Sequence, residues 1–255
     1  MITHVPTDMR ILIASPLGDV IAAPMNAAFP DATITVARDE TEFRSSIAAR
    51  VRFDVVTADL VFNRPDLEWK FDGLDVIDGL NQADRRAPVL IATQGHSMEN
   101  DHLAEARLRP DVSGVIAKAV GFAALADAMG KLALGQTLPM HPPVSNKPSL
   151  FELFDGRRGI TAGRLAGAIA SGNAADNATL AAAAKVSPNT ANKVATNYLG
   201  PIIRARGEHD DRLPLTQPSV YRWCGLHARY IVSWCRRNGH SDVLAAQSAT
   251  RPDDL

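Results

Sequence analysis

Three polar residues stand where apolar runs of the sequence stop. Asp59 ends "FDVVTADL" (53–60), Thr93 falls late in "APVLIATQG" (87–95), and Lys118 closes "VSGVIAK" (112–118). Short apolar runs of this kind read as buried strands. In an open parallel sheet, ligand chemistry gathers at the carboxyl ends of the strands. An Asp that meets a Lys there supports a paired structural carboxylate, and the same corner offers a small-ligand pocket. No nucleophile–base pair or Gly-rich phosphate loop accompanies these residues, so the sequence supports no enzyme and implies no cofactor or metal.

A second cluster lies in "KVSPNTANKVATNYLGPII" (185–203). Ser187 is a good N-cap and Pro188 a good first helical residue, because the hydroxyl accepts from a free N–H and Pro has none to lose. The helix they open is unusual for a core. Asn189, Thr190, Asn192, Lys193, Thr196 and Asn197 crowd it with hydrogen-bonding side chains. Pro201 removes a helical hydrogen bond, so the polar surface is expected to end near Leu199, with the segment to Arg206 a separate turn.

A third stretch, "SVYRWCGLHARYIVSWCRRNGH" (219–240), reads as one regular helix. Val220, Trp223, Cys224, His227, Tyr230, Ile231, Trp234 and Cys235 recur at three- and four-residue steps on one face, and Arg222, Arg229 and Arg236 recur every seven. Cys224, His227, Cys235 and His240 also suggest metal ligands. Zinc pairs are normally separated by a loop, however, and here a continuous helix separates them. Packing in an apolar stripe is the preferred reading.

The elements that must position these residues follow from periodicity. "MRILIAS" (9–15) and "ATITVAR" (32–38) join the three runs above as strands. Each strand is followed by a helical pattern: "GDVIAAPMNAAF", "DETEFRSSIAARV" capped by Asp39, "GLDVIDGLNQAD", "ENDHLAEARLR" and "GFAALADAMGKLALG". Five such units predict an α/β doubly wound, five-stranded parallel sheet over residues 1–135. "GQTLPMHPPVSNKPSL" has four prolines, and residues 136–150 read as a linker. Residues 151–240 read as an all-α domain and 241–255 as a tail. In the all-α part, Thr161 is the expected cap of a small-residue helix over 160–172. The Ala-rich "DNATLAAAAKV" (176–186) is a second helix, and Ser187 opens a third. Two short helices, a tight turn and a polar-faced helix make a helix-turn-helix.

Charge divides the same way. Residues 1–146 carry 13 Lys+Arg against 19 Asp+Glu, a balance of −6, while residues 149–255 carry 13 against 9, a balance of +4. A basic second half suits a polyanionic partner. An apolar fraction of 46% allows real cores and excludes a largely disordered chain. No apolar run approaches the roughly 18 residues that span a bilayer, and the N-terminus shows no secretory pattern. Two cysteines make no disulfide framework. The expectation is a cytoplasmic protein with no membrane partner.

Asp59, Thr93 and Lys118, with Gly73-Leu74 opening the third helix, resemble the receiver domain of bacterial response regulators over about 9–135. That family keeps a phosphate-accepting Asp after the third strand, a Thr or Ser after the fourth and a Lys after the fifth. The resemblance implies that Asp59 is the phosphoacceptor-like residue and that Thr93 and Lys118 are switch residues. In active receivers an acidic pair after the first strand helps to hold a divalent ion. This chain has Ser15-Pro16 there, and Val115 where an aromatic switch residue is usual. The loop "LVFNRPDLEWKFDG" is also about six residues longer than usual, and Asp66 or Asp72 within it could fold back toward Asp59 and replace the missing acids. An atypical, phosphorylation-independent receiver is expected, with a sensor kinase doubtful and a small-molecule ligand an open alternative.

Thr161, Asn177, Leu180, Ala181, Val186, Ser187 and Thr190 likewise resemble LuxR-type helix-turn-helix domains over about 160–203. The resemblance implies double-stranded DNA as partner, with Thr190, Asn192, Lys193, Thr196, Asn197 and Arg204 as DNA-binding residues. Asn192, Lys193 and Thr196 would face the major groove, while Thr190 and Arg204 or Arg206 would meet phosphate. A closing helix in that family can form a dimer contact, so Trp223, Tyr230, Ile231 and Trp234 are the expected seam of a homodimer. The combined expectation is a DNA-binding transcriptional regulator of the two-component, response-regulator type. Its alternative is a small-ligand sensor whose first domain controls a helical protein-interaction module.

Overall fold

The computed structural model describes residues 8–49, 52–138, 140 and 147–245. The chain forms two compact units, Met1–Val144 and Ser145–Leu255. In the first, strands β1 (Arg10–Ala14), β2 (Thr33–Ala37), β3 (Val55–Asp59), β4 (Val89–Thr93) and β5 (Val112–Ala117) alternate with helices α1 (Gly18–Ala28), α2 (Glu40–Ala48), α3 (Gly73–Gln82), α4 (Asn100–Ala106) and α5 (Phe122–Ala133). The sheet order is β2-β1-β3-β4-β5, and every pairing is parallel. All residues of the inner strands β3 and β4 are buried, as expected of strands covered on both faces. Asp39 caps α2 by accepting from the Glu42 N–H. This is the doubly wound sheet that the periodicity predicts.

The long segment after β3 is packed. Phe62 meets Phe71 edge-on with ring centroids 5.1 Å apart, and Phe71 meets Phe43 at 5.6 Å. Leu67, between them in sequence, is also buried, and Val61 and Asp72 form an isolated bridge. These apolar pins close the extra residues into a compact loop, with Asp66 and Lys70 exposed on its outside.

The second unit contains α6 (Leu150–Leu153), α7 (Gly156–Ala170), α8 (Asn177–Ala184), α9 (Pro188–Asn192), α10 (Leu199–Ala205), α11 (Gln217–Leu226) and α12 (Ala228–Arg237). Ser149 caps α6, so the end of the segment expected as linker already belongs to this unit. Residues 139 and 141–146 of that segment lie outside the described residues. Asp155, rather than the expected Thr161, caps α7, and Thr161 lies inside the helix, its hydroxyl donating to the Arg157 carbonyl. Residues 241–243 form a helical turn that buries Val243. Part of the expected tail is therefore core, and residues 246–255 lie outside the described residues.

Helix α7 organises the unit through its small residues. A methyl group at Gly163 would meet the Trp234 ring, and one at Gly167 would meet Cys235 Sγ. These absent side chains let α12 lie directly on the α7 backbone. The expected single helix over 219–240 is two helices, broken at His227, where the backbone turns to φ −103° and ψ 8°. Trp223, Tyr230, Ile231 and Trp234 are 0–4% exposed, and Trp234 packs against Phe154 with centroids 4.9 Å apart. The four residues expected as a dimer seam are thus the core of their own unit, because the glycine stripe gives them a nearer surface to cover. The Gly163→Val variant is expected to lower the stability of this unit by about 1–3 kcal/mol by overpacking, read as an earlier urea midpoint in tryptophan fluorescence.

Candidate functional site

At the carboxyl end of the sheet, Asp59 closes β3 and is 3% exposed. Ser15, just past β1, donates to Asp59 Oδ2 at 2.7 Å, and Lys118 Nζ lies 2.7 Å from the same oxygen. Parallel pairing of β3 with β1 and β4, and of β4 with β5, brings these positions together. Burial pushes the Asp59 carboxyl up from its ordinary value, and the Lys118 charge and the Ser15 hydrogen bond offset this only in part. Thr93 does not join them. Its hydroxyl donates to buried Glu99 at 2.5 Å, and Glu99 also accepts from the backbone N–H groups of Gly95 and His96. Glu99 was not legible as a partner of Thr93, although its place three residues after His96 fits the short helical turn it caps. Val115 is buried in β5.

The residues at this corner do not fit a divalent ion. Ser15-Pro16 brings no carboxylate where an acidic pair would serve, and hard cations need several oxygen ligands with negative charge. Neither replacement acid serves. Asp66 is exposed and ion-paired to Arg64 at 2.7 Å. Asp72 is spent as the N-cap of α3, accepting from the Leu74 and Asp75 N–H groups, with His102 Nε2 3.6 Å away. Among the described residues no group of three His, Cys, Asp or Glu side chains is arranged to hold a metal. Cys224 and Cys235 are buried thiols whose pKa values burial pushes up, and Cys235 donates to the Gly163 carbonyl.

In the helical unit, α8 ends with Lys185 in the left-handed conformation at φ 54°. Arg164 fixes this turn from behind, donating to the Ala184 carbonyl and to Asp242, which also pairs with Lys185 at 3.0 Å. Those two cations hold the Asp242 carboxyl well below its usual range, Arg164 contributing most. Ser187 then caps α9 by accepting from the Thr190 N–H, with the two hydroxyls 2.9 Å apart. Thr190 is half-buried and engaged in the cap.

Beyond α9 the apolar stripe slips by one residue. Ala191 and Val194 are buried, but the next buried positions are Leu199, Gly200, Ile202 and Ile203, while Tyr198 is half-buried and Pro201 exposed. A π-helical turn over Val194–Tyr198 absorbs the slip, with the Leu199 N–H donating to the Val194 carbonyl five residues back. A side chain at Gly200 would run into the Ala195 carbonyl. Pro201 cannot donate to the Asn197 carbonyl, and the Arg158 guanidinium donates to it instead. The helix therefore continues through Gly200-Pro201 as α10, against the expected end near Leu199. The five-residue step from Val194 to Leu199 was the signal for this turn.

Asn189, Asn192, Lys193, Thr196, Asn197 and Arg204 are exposed on the outside of this segment. Arg206 is not. It is 6% exposed, donating to the Pro148 carbonyl and pairing with Glu208 at 3.0 Å, so the expected phosphate role does not fit it. Glu208 also accepts from Trp223 Nε1 at 2.7 Å and lies 3.3 Å from His227 Nε2. Burial alone would raise the Glu208 pKa, but the hydrogen bonds from His227, Arg206 and Trp223 together hold it well below its ordinary value.

Because the folded-state pKa of Asp59 is raised, its ionised form costs stability once pH rises above the ordinary value of 3.8. Asn mimics the protonated acid. The Asp59→Asn variant is expected to melt no lower than the parent at pH 7, with the difference vanishing near pH 3. A lower melting temperature at pH 7 would contradict the raised value.

No family model matches the chain, and no curated protein matches it significantly in sequence. Solved structures match in shape. RcsB from Salmonella enterica serovar Typhimurium, bound to promoter P1flhDC in the presence of the phosphomimetic BeF3−, is 16% identical with a TM-score of 0.50, the match covering 89% of this chain and 99% of that one. A two-component response regulator RcsB–DNA complex is 15% identical with a TM-score of 0.47, covering 85% and 97%. The receiver domain of Francisella response regulator 1452 is 20% identical with a TM-score of 0.39, covering 50% and 98%. At these identities the likeness is one of fold. The chain has the fold of a receiver-like five-stranded parallel sheet followed by a helical unit.

Proposed function

We propose that this chain is a sequence-specific, DNA-binding transcriptional regulator of the response-regulator type, acting in the cytoplasm as a homodimer and without phosphorylation of Asp59. The observation that carries the reading is the solvent-facing row Asn189, Asn192, Lys193, Thr196 and Asn197 on a helix whose other side is core. A helix packed only for stability gains nothing from five such residues. Asn pairs bidentately with adenine and Lys reaches guanine acceptors, while exposed Arg204 is suited to phosphate. The +4 balance of residues 149–255 favours approach to a polyanion. RcsB, the neighbour of similar fold, was solved on promoter DNA. A dimer would present two such helices about one turn of DNA apart, so a roughly palindromic site is expected. Its contact surface lies outside the buried Trp223, Tyr230, Ile231 and Trp234.

Independence from phosphorylation is supported by the Ser15-Pro16 position and by Thr93 holding Glu99.

Asn192→Ala and Lys193→Ala are expected to weaken binding to the best genomic fragment about 5–150-fold each, from about 1–3 kcal/mol per contact. Arg204→Ala is expected to weaken all sequences alike. Quantitative binding to fragments selected from the source genome measures both, and unchanged affinity in the first two variants would sink the assignment. Separately, intact-mass measurement after incubation with a small phosphodonor and Mg²⁺ is expected to show no adduct. A stoichiometric phosphate, absent in Asp59→Asn, would end the phosphorylation-independent reading.

A further inference from the structure

Beside Asp59 the first unit holds an open cavity of about 170 Å³, between the start of α1 and the start of α5. Its walls are almost wholly apolar, with Ile13, Ile21, Ile116 and Leu125 lining it, and its rim is formed by Leu17, Val20 and Phe122, which are 61%, 60% and 46% exposed. An apolar cavity of about 150 Å³ is enough to hold benzene, so this one admits a ring of six to about eight heavy atoms.

The polar part of the lining is small and unevenly satisfied. Both side-chain partners of Asp59 fall on Oδ2, Ser15 at 2.7 Å and Lys118 at 2.7 Å. No hydrogen bond among the described residues reaches Oδ1, although the residue is 3% exposed and lines the cavity. Ser15 is already committed, donating to Asp59 and accepting from the Leu17 N–H. The deep end therefore offers one open acceptor oxygen beside the paired Lys118 ammonium, inside walls that reward apolar contact. Oδ1 is thus the carboxylate oxygen left open to the cavity, where a ligand hydroxyl can donate to it. Convergent apolar side chains with one orienting polar atom are what small-molecule sites commonly provide.

We infer that this cavity is a binding site for a small, neutral, largely apolar molecule with a single hydroxyl head, the hydroxyl donating to Asp59 Oδ1 and the ring or chain lying against Ile21, Ile116, Leu125 and Phe122. An anionic head is disfavoured, because the Lys118 cation that lines the cavity is already paired with Asp59 at 2.7 Å and the rest of the enclosure is apolar. The site is assembled within the first unit and stands independently of the DNA-binding reading.

The test uses the full chain and three probes of similar size: phenol, toluene and benzoate. Binding is followed by ¹H–¹³C methyl shifts of Ile21, Ile116 and Leu125. Phenol is expected to bind at least tenfold more tightly than toluene, and benzoate not to shift these methyls. Val20→Trp, at an exposed rim position that should not disturb folding, is expected to lower phenol affinity at least tenfold by closing the mouth. Asp59→Leu is expected to abolish the preference for phenol over toluene while toluene still binds, which also shows that the cavity survives. Equal affinity for phenol and toluene in the parent protein, binding insensitive to Val20→Trp, or no methyl shift with any probe would each overturn the inference. A loss of DNA binding in other variants leaves it untouched, and its own failure leaves the DNA-binding reading untouched.

Discussion

The helical unit depends on how closely α12 can approach α7. Gly163 and Gly167 present bare backbone to Trp234 and Cys235, and this contact draws the largest apolar side chains of the unit inward. Burying a large apolar side chain contributes about 1.5–3 kcal/mol, and Tyr230, Ile231 and Trp234 all make that contribution within a short helix. With its apolar needs met on that side, the unit can leave the outward row of α9 and the π turn polar. The break at His227 belongs to the same arrangement, since α11 and α12 both lie against α7.

Backbone accounting explains the helix that carries the polar row. A glycine and a proline side by side would ordinarily end it. Here the π turn moves the apolar stripe by one residue, Gly200 leaves room for the Ala195 carbonyl, and Arg158 supplies the hydrogen bond that Pro201 cannot. Together these features keep a core-facing stripe continuous while the opposite side stays exposed. Arg164 acts comparably at the preceding turn, holding the α8 carbonyl end and Asp242 together.

In the receiver-like unit Asp59 stands without the acidic pair after the first strand, where this chain has Ser15-Pro16. Asp59 is buried among the strand ends, so its charge must be met locally, and Lys118 and Ser15 meet it on one oxygen. Thr93 turns to Glu99, whose carboxylate ties down the loop before α4. Where receivers gather acid and metal, this chain has an apolar cavity with exposed Leu17, Val20 and Phe122 at its rim.

Strand and helix identity in the first unit was legible because each buried strand is a short apolar run and each helix an amphipathic one, both local patterns. The Asp59–Lys118 pairing followed from strand order, and the Ser187 cap followed from two adjacent residues. The sequence by itself determined the element types, the two-part organisation and the crowding of polar side chains after Ser187. Only the tertiary structure decided which apolar face was core and which residues met across elements. The periodicity of 219–240 marks a face to be covered but not by what, and the glycine stripe of a helix far earlier in the chain supplied the cover. Thr93 with Glu99, Arg158 with the Asn197 carbonyl and Arg206 with Glu208 were likewise set by packing. A polar side chain takes the partner that folding places within about 3 Å, and linear spacing records that distance only within a turn of helix or along one strand.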